Sequence, residues 1–426
     1  MASEKAFSGK YAAYPDYKAS GVQWLGEIPK HWERKRIKET AALINGYPFD
    51  SKKFEAGKGT PLVRIRDIRA SVTEVGFIGY VPSESLIDNG DVLVGMDGDF
   101  NVSLWSGGKA ALNQRVACVR AENYHLQKFI YYVLPFNMKV VNDLTYFTTV
   151  KHLSSIDILK TIYALPPEGE LNKIVDFLDH ETAKIDTLIE KQQKLTKLLK
   201  EKRQAVISHA VTKGLNPNAA MCASGVEWLG EVPEHWEVMP LKYAITFQRG
   251  HDLPSHSRIA GDIPLVTSAG VSRSHNVAAA KAPGLVTGRY GTIGKFYLIE
   301  EDYWPLNTTL YSINLRGNKP KYLWYMLHNL QPIFIANSLK SAVPGVDRND
   351  LHTVKVAITK NHGEQDALCD YLDDMNKKYD ALTEKAEGSI KLMQERRTAL
   401  ISAAVTGKID VRNWLAPDSN KNNEVA

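Results

Sequence analysis

LNKIVDFLDHETAKIDTLIEKQQKLTKLLKEKRQAVISHAVTKG occupies residues 171–214, and QDALCDYLDDMNKKYDALTEKAEGSIKLMQERRTALISAAVTGK occupies residues 365–408. At a constant offset of 194, from 171 to 365, Asp176/Asp370, Leu178/Leu372, Asp179/Asp373, Lys184/Lys378, Asp186/Asp380, Leu188/Leu382, Glu201/Glu395 and Arg203/Arg397 are identical. So is most of the run from Ala205 to Thr212. Neither segment contains proline, and both are rich in good helix formers. Apolar residues recur every seven positions. In the first segment one column reads Leu178, Ile185, Gln192, Leu199, Val206 and the other Ile174, Glu181, Leu188, Leu195, Lys202. In the second they read Leu372, Tyr379, Ala386, Met393, Leu400 and Leu368, Met375, Leu382, Ser389, Arg396. A seven-residue spacing keeps one narrow apolar seam facing a single partner helix. The simplest partner is the other copy. Duplicated units pair about a twofold axis through self-complementary contacts, and an axis crossing the seam makes the helices antiparallel. About 36 helical residues at about 1.5 Å each make a rod of roughly 54 Å.

The duplication extends beyond these helices. SGVQWLGEIPKHW at 20–32 and SGVEWLGEVPEHW at 224–236 share ten of thirteen letters. The bracket of two tryptophans, Trp24/Trp32 and Trp228/Trp236, is expected to bury both rings of each pair against the helices. Between opening and helix lie two regions, residues 21–168 and 225–362, that share only a sparse skeleton. GTPLVRIRDI (59–68) faces GDIPLVTSAG (261–270), GDVLVGMDGDFN (90–101) faces PGLVTGRYGTIG (283–294), and LNQRVACVR (112–120) faces LNTTLYSIN (306–314). QKFIYYVL (127–134) matches KYLWYMLH (321–328) as an aromatic helix. Short β-branched runs cut by Gly and Pro predict strands with tight turns around that helix. The expected division is an arm at 1–20, a mixed domain at 21–168, a helix at 169–213 and a linker at 214–224. A second mixed domain at 225–362, a helix at 363–408 and a flexible tail at 409–426 complete it.

The 426 residues are 44% hydrophobic and 24% charged, enough apolar material for two or three folded cores. No stretch of about 18 apolar residues exists to span a bilayer. The opening MASEKAFSGKYAAYPDYK has no apolar signal segment, and the three cysteines, Cys118, Cys222 and Cys369, show no CxxC spacing. These traits fit a reducing cytoplasm, with neither a disulfide frame nor a zinc site expected. The net charge of +5 leans mildly toward a polyanionic partner.

The SGVxWLGExPxHW opening of each half, the GTIG and WPLNTTL stretches of the second domain, and the LISAAVTG helix end occur in a fixed order. That arrangement resembles the specificity subunits of type I restriction–modification systems, from about residue 20 to 408. The resemblance implies an α+β architecture: two mixed α/β target-recognition domains separated by two long helices, which form an antiparallel coiled coil with a pseudo-twofold internal repeat. It further implies a non-catalytic, cofactor-free reader of double-stranded DNA. Each domain would read one half of an asymmetric split target, and the helices would space the halves. Two methyltransferase (modification) subunits would dock on the helices, and restriction (motor/endonuclease) subunits would join the full complex. Domain one departs from domain two, with GMDGDFN where GRYGTIG stands and LNQR where LNTT stands.

A DNA reader needs cations for phosphates and forked or amide side chains for base edges. The candidates in domain one are Arg64, Arg66, Arg69, Lys109, Asn113, Gln114 and Arg115. Those in domain two are Arg249, Arg273, Arg289, Lys295 and Asn307, with Arg258 nearby. Alternation in Val63–Arg64–Ile65–Arg66 is expected to place both arginines on one strand face; a solvated face with incidental ion pairs is the plainer reading. GRYGTIGK (288–295) reads equally as a phosphate cradle or a tight hairpin, and it fails the Walker spacing. Asp176/Asp179 and Asp370/Asp373/Asp374 share helix faces near helix starts, which favours structure or docking over metal chemistry. His251, Asp252 and His256 lack counterparts in GYPFDS and are expected in a surface loop. Lys191, Lys194, Lys197 and Lys200 form a basic stripe, solvated by default and otherwise facing spacer DNA or an acidic partner. An enzyme of the amino-methyltransferase kind needs an (N/D)PP(Y/F) motif, whereas the single Pro-Pro here is Leu165–Pro166–Pro167–Glu168. The remaining alternative is a coiled-coil adaptor whose domains bind proteins.

Overall fold

A computed structural model of the chain describes residues 11–144, 152–289, 292, 294–338 and 346–416. Outside these residues lie the first half of the expected N-terminal arm, the end of the tail, and Tyr290, Gly291 and Ile293 of the glycine loop. The chain divides into two compact units, residues 1–191 with 389–426, and residues 192–388. The helices are α1 (Tyr124–Leu144), α2 (Ser155–Lys160), α3 (Glu168–Lys213), α4 (Pro320–Asn329), α5 (Gln331–Ser338), α6 (Arg348–Thr353) and α7 (His362–Val405). Among the described residues no helix is long and apolar enough to cross a membrane.

The long helices α3 and α7 have 46 and 44 residues, longer than the seven-residue repeat alone marks out. In the first unit the N-terminal half of α3 packs with the C-terminal half of α7, where Leu178 and Ile185 share a core with Leu400, Ile401 and Ala404. In the second unit the halves are exchanged, and Ile207, Ala210 and Val211 meet Leu368, Cys369 and Leu372. The pairing is therefore antiparallel. It repeats down to single contacts. Arg397 Nε donates to Asp186 at 2.8 Å in the first unit, and Arg203 Nη1 donates to Asp380 at 2.6 Å in the second. These are the same contact at the offset of 194, which is the pseudo-twofold repeat expressed in side chains.

The second expected column holds at its first two positions, where Ile174 and Leu368 are fully buried and Glu181 and Met375 half-buried, and is corrected beyond them. Leu178, Ile185, Leu372, Tyr379, Ala386 and Leu400 are buried, but Leu188, Leu195 and Leu382 are exposed. The second column lies one residue further on: Thr182, Ile189, Thr196, Arg203 and Ala210 on α3, and Asn376, Thr383, Ile390, Arg397 and Ala404 on α7, are buried or half-buried. Polar residues occupy much of that column. Thr182 and Thr196 return their hydroxyls to the helix carbonyls of Leu178 and Gln192, so small side chains with satisfied hydroxyls let the backbones approach. Apolar periodicity cannot find them.

Each unit builds its mixed domain on a four-stranded antiparallel sheet. In the first the strand order is Val102–Leu104, Val92–Gly95, Val116–Ala121, Ala41–Asn45, and α1 covers one face. A five-stranded sheet (Phe54–Ala56, Val75–Phe77, Thr60–Val63, Ala110–Leu112, Leu86–Ile87) adds a separate small core around Trp105. In the second unit the order is Thr246–Arg249, Thr309–Asn314, Gly284–Gly288, Phe296–Ile299, with α4 against it and a three-stranded sheet beside it. Residues 409–416 are not a flexible tail. Ile409 and Val411 are buried, Asp410 N–H donates to Ala12 O at 2.8 Å, and the Trp414 ring meets Phe177 edge-on.

Candidate nucleic-acid interface

In each domain the chain leaves the first strand of its four-stranded sheet at a glycine pressed on a Leu–Asn turn. A Cβ on Gly46 would stand 1.9 Å from Asn113 O, and one on Gly250 would stand 2.2 Å from Leu306 O. Only glycine permits that approach. The fit fixes Tyr47 beside Asn113, and His251 beside Leu306, as short parallel bridges. The two turns, Leu112–Asn113–Gln114–Arg115 and Leu306–Asn307–Thr308, thus occupy matching places in domains that otherwise diverge.

Domain one brings several candidates together around the loop 97–101. Asn113, Gln114 and Arg115 share one turn, and Arg115 pairs with Asp97 at 3.3 Å. His152 Nδ1 lies 2.7 Å from the same carboxylate. Arg69 donates to Asn101 Oδ1 at the loop's other end. Arg64 is not part of this group. The strand stops at Val63, and Arg64 precedes the 3-10 turn Ile65–Asp67, so the expectation of two arginines on one strand face is corrected. The Arg64 side chain is 16% exposed, bonded to Asp67 at 2.8 Å and Glu74 at 3.0 Å. Its charge is consumed in holding the turn. Arg66 and Lys109 are exposed.

Domain two gathers its own set on Asp252. Asn307 Nδ2 donates to Asp252 Oδ1, and Arg249 approaches that oxygen at 3.6 Å. Arg289 joins through its backbone N–H to Thr308 O at 2.9 Å and its Nη1 to Asn307 O at 3.5 Å. Arg273 and Lys295 are exposed, and among the described residues no hydrogen bond or ion pair ties them to this group. Arg258 folds back on Leu253 O. His251 departs from the expected surface loop. It is half-buried, 3.0 Å from Tyr311 Oη, with its ring against Trp304 and Tyr311. His256 remains exposed.

What holds each domain to its long helix is a pair of carboxylates that sequence patterns did not single out as a pair. Glu170, in the first turn of α3, accepts Trp32 Nε1 at 2.7 Å, His31 Nε2 at 2.7 Å and the Tyr14 hydroxyl at 2.5 Å. Its copy Glu364 accepts Trp236 Nε1 at 3.1 Å, His235 Nε2 at 3.0 Å and Thr359 Oγ1 at 2.5 Å. Burial alone would raise the Glu364 carboxyl, but the hydrogen bonds from Thr359, His235 and Trp236 hold it below the usual glutamate range. Nine residues on, Asp179 takes the Tyr132 hydroxyl and Lys128 Nζ, and Asp373 takes Tyr325 Oη at 2.7 Å and Lys321 Nζ at 2.5 Å. The helix acids are thus structural. Burial first, then the bond to Asp179, pushes the Tyr132 hydroxyl far above an ordinary tyrosine. Glu170 and Glu364 obey the same offset of 194, the one signal that could have found them. Among the tryptophans only the second of each bracket is deeply buried: Trp32 is 0% and Trp236 4% exposed, while Trp24 is half-buried and Trp228 37% exposed. The expectation of two buried rings is corrected to one. Among the described residues no group of three or more His, Cys, Asp and Glu could hold a metal ion.

Residues 29–197 match a family model described as the type I restriction modification DNA specificity domain. The chain is 34% identical over 234 residues to the type I restriction enzyme EcoBI specificity subunit of Escherichia coli, covering 54% of this chain and 49% of that one. It is 23% identical over 225 residues to the MjaVIII specificity subunit of Methanocaldococcus jannaschii, covering 52% and 51%. The chain thus spans about half the length of the curated relatives it matches. Among solved structures, a chain from work on complex assembly and conformational transition of the type I R-M system aligns with a TM-score of 0.65 at 17% identity, over 90% of this chain and 99% of that one. The HsdS subunit from Thermoanaerobacter tengcongensis aligns with a TM-score of 0.50 at 16% identity, over 90% and 98%. At these identities the likeness is one of fold.

Proposed function

We propose that this chain, which belongs with the specificity subunits of type I restriction–modification systems, is the non-catalytic reader of a split, asymmetric DNA target. Residues 21–168 and 225–362 act as its two recognition domains. Each reads one half-site through the loops around its Leu–Asn turn: Arg69, Asn113, Gln114 and Arg115 in the first, and Arg249, Arg289 and Asn307 in the second. Arg66, Lys109, Arg273 and Lys295 serve as phosphate contacts in this reading, and Arg64 is left to support its turn. The paired helices fix the unread gap, and modification subunits dock on the shared scaffold to supply the chemistry.

The observation that carries the reading is the contrast within the repeat. The helix contact Asp186–Arg397 and its copy Arg203–Asp380 are kept residue for residue, whereas the loops at the Leu–Asn turns differ in nearly every exposed letter. A fixed scaffold bearing two different surfaces suits two different half-sites. The test is to express the chain with the modification polypeptide encoded beside it and to map methylation across a genome. Replacing residues 21–168 by a foreign domain is expected to change one half-site and preserve the other and the gap. Methylation unchanged in sequence after that replacement would sink the reading.

A further inference from the structure

One backbone frame underlies the candidate reading face of both domains, at an offset of 193, from 96 to 289. Met96 N–H donates to Arg115 O at 3.0 Å and Leu153 N–H to Met96 O at 2.7 Å. Arg289 N–H donates to Thr308 O and Val346 N–H to Arg289 O, both at 2.9 Å. On that frame Gln114 and Arg115 stand where Asn307 and Thr308 stand. In each domain a carboxylate reaches this turn, and the two come from different loops. Asp97 follows Met96 and takes Arg115 Nη1 at 3.3 Å, with His152 Nδ1 at 2.7 Å. Asp252 follows His251 and takes Asn307 Nδ2, with Arg249 Nη2 at 3.6 Å. Neither acid has a counterpart in the other domain. Tyr290 holds the position of Asp97, and Pro48, counted from the paired glycines Gly46 and Gly250, holds that of Asp252. An acid that recurs on one turn from unrelated positions serves the turn's side chains, since the shared fold does not call for it.

We propose that Asp97 and Asp252 are positioning residues that set base specificity, each for the half-site of its own domain. The proposal rests on the split-target reading above. A carboxylate only accepts hydrogen bonds. Asp252 therefore draws the nitrogen of the Asn307 amide to its own side and turns Oδ1 the other way. The amide then meets a base edge in one sense and not in its reverse. Asp97 engages Nη1 of Arg115 and leaves the other nitrogens of the guanidinium for a base. Without that anchor the arginine swings onto whichever phosphate is near, a contact that carries no sequence information. The negative charge itself opposes the sequence-independent attraction that the surrounding cations supply. Specificity is a difference of affinities, and a repulsive element raises it at some cost in total binding.

The experiment uses the full chain co-expressed with its modification polypeptide, after methylation mapping has given the target and domain replacement has assigned its halves. Filter retention compares the target duplex with duplexes altered at one base pair at a time in either half-site. Asp97→Asn is expected to lower discrimination at a position of the first domain's half-site by about tenfold and to leave the other half-site unaffected. Asp252→Asn does the converse. Retention of the altered duplexes equals the parent's or rises, which a merely structural lesion would not produce. Asp99→Asn removes the same charge two residues from Asp97, where among the described residues no hydrogen bond or ion pair holds it, and keeps discrimination in both halves. Thermal melting checks the fold. The Asp252 side chain is 69% exposed, so its variant folds and always yields a reading. Folded Asp97→Asn and Asp252→Asn variants that discriminate as the parent does overturn the proposal. So does a variant that loses retention of every duplex and discrimination in both halves together, which would make the carboxylate a support of the fold. A parent complex that does not prefer the target to the altered duplexes overturns the functional reading itself, a different and distinguishable failure.

Discussion

Glu170 and Glu364 show how single residues hold this molecule together. Each lies in the first turn of a long helix, where the helix dipole favours negative charge. Each collects donors from a loop more than a hundred residues away. For Glu364 the balance has a pH consequence. Desolvation opposes ionisation, but donors from Thr359, His235 and Trp236 outweigh it, and the folded value lies below the ordinary one. The unfolded chain keeps a glutamate near about 4.3 and takes up its proton first as pH falls. The stabilisation is therefore complete above that value and is lost as pH drops through the lower folded value. Glu364→Gln is expected to flatten the acid limb of a melting-temperature curve for the second unit below about pH 4.3. An acid limb as steep in the variant as in the parent would assign that loss to other groups.

Between residue and molecule stand the two long helices. Their existence, direction and pairing were legible from the repeat and its seven-residue period. The facing register was not. Leucines at 188, 195 and 382 look like seam residues on any apolar scale, yet they are exposed, and Thr182, Thr196, Asn376 and the two arginines line the contact. An arginine on a seam is tolerated because its aliphatic stem packs while its head reaches an acid at the rim. Asp186 is 51% and Arg397 29% exposed in their side chains, so the pair is worth about 0.2–1 kcal/mol and is screened by salt. Asp186→Arg alone is expected to destabilise the chain by roughly that amount, and Asp186→Arg with Arg397→Asp to recover most of it. Denaturant unfolding at low and high salt provides the check, and a double variant no better than either single one would remove the pair from the account of helix pairing.

At the scale of the whole molecule the prediction concerns length. If the helix pair sets the unread gap, removing one heptad from each helix, residues 189–195 and 383–389, keeps the seam in phase. At about 1.5 Å per residue the rod shortens by about 10 Å, or some three base pairs at about 3.4 Å each. Methylation mapping is expected to find both half-sites intact with a gap about three base pairs shorter. The same gap as in the parent would mean that something other than helix length measures it.

The amino-acid sequence by itself determined the duplication, the two long proline-free helices, the mixed domains between them and the antiparallel class of the pairing. These are carried by identity and periodicity, which are properties of position along the chain. Only the tertiary structure decided which cations stand together. Arg64 and Arg66 are neighbours in sequence, yet Arg64 is absorbed by Asp67 and Glu74; Arg249 and Asn307 are 58 positions apart and meet on Asp252. It likewise decided that one tryptophan of each bracket is deeply buried while the other is half-buried, as Trp24, or exposed, as Trp228. Such contacts join residues far apart in the chain through the geometry of turns and sheets. They leave no period in the sequence, because the energy that selects them depends on three-dimensional proximity and not on spacing.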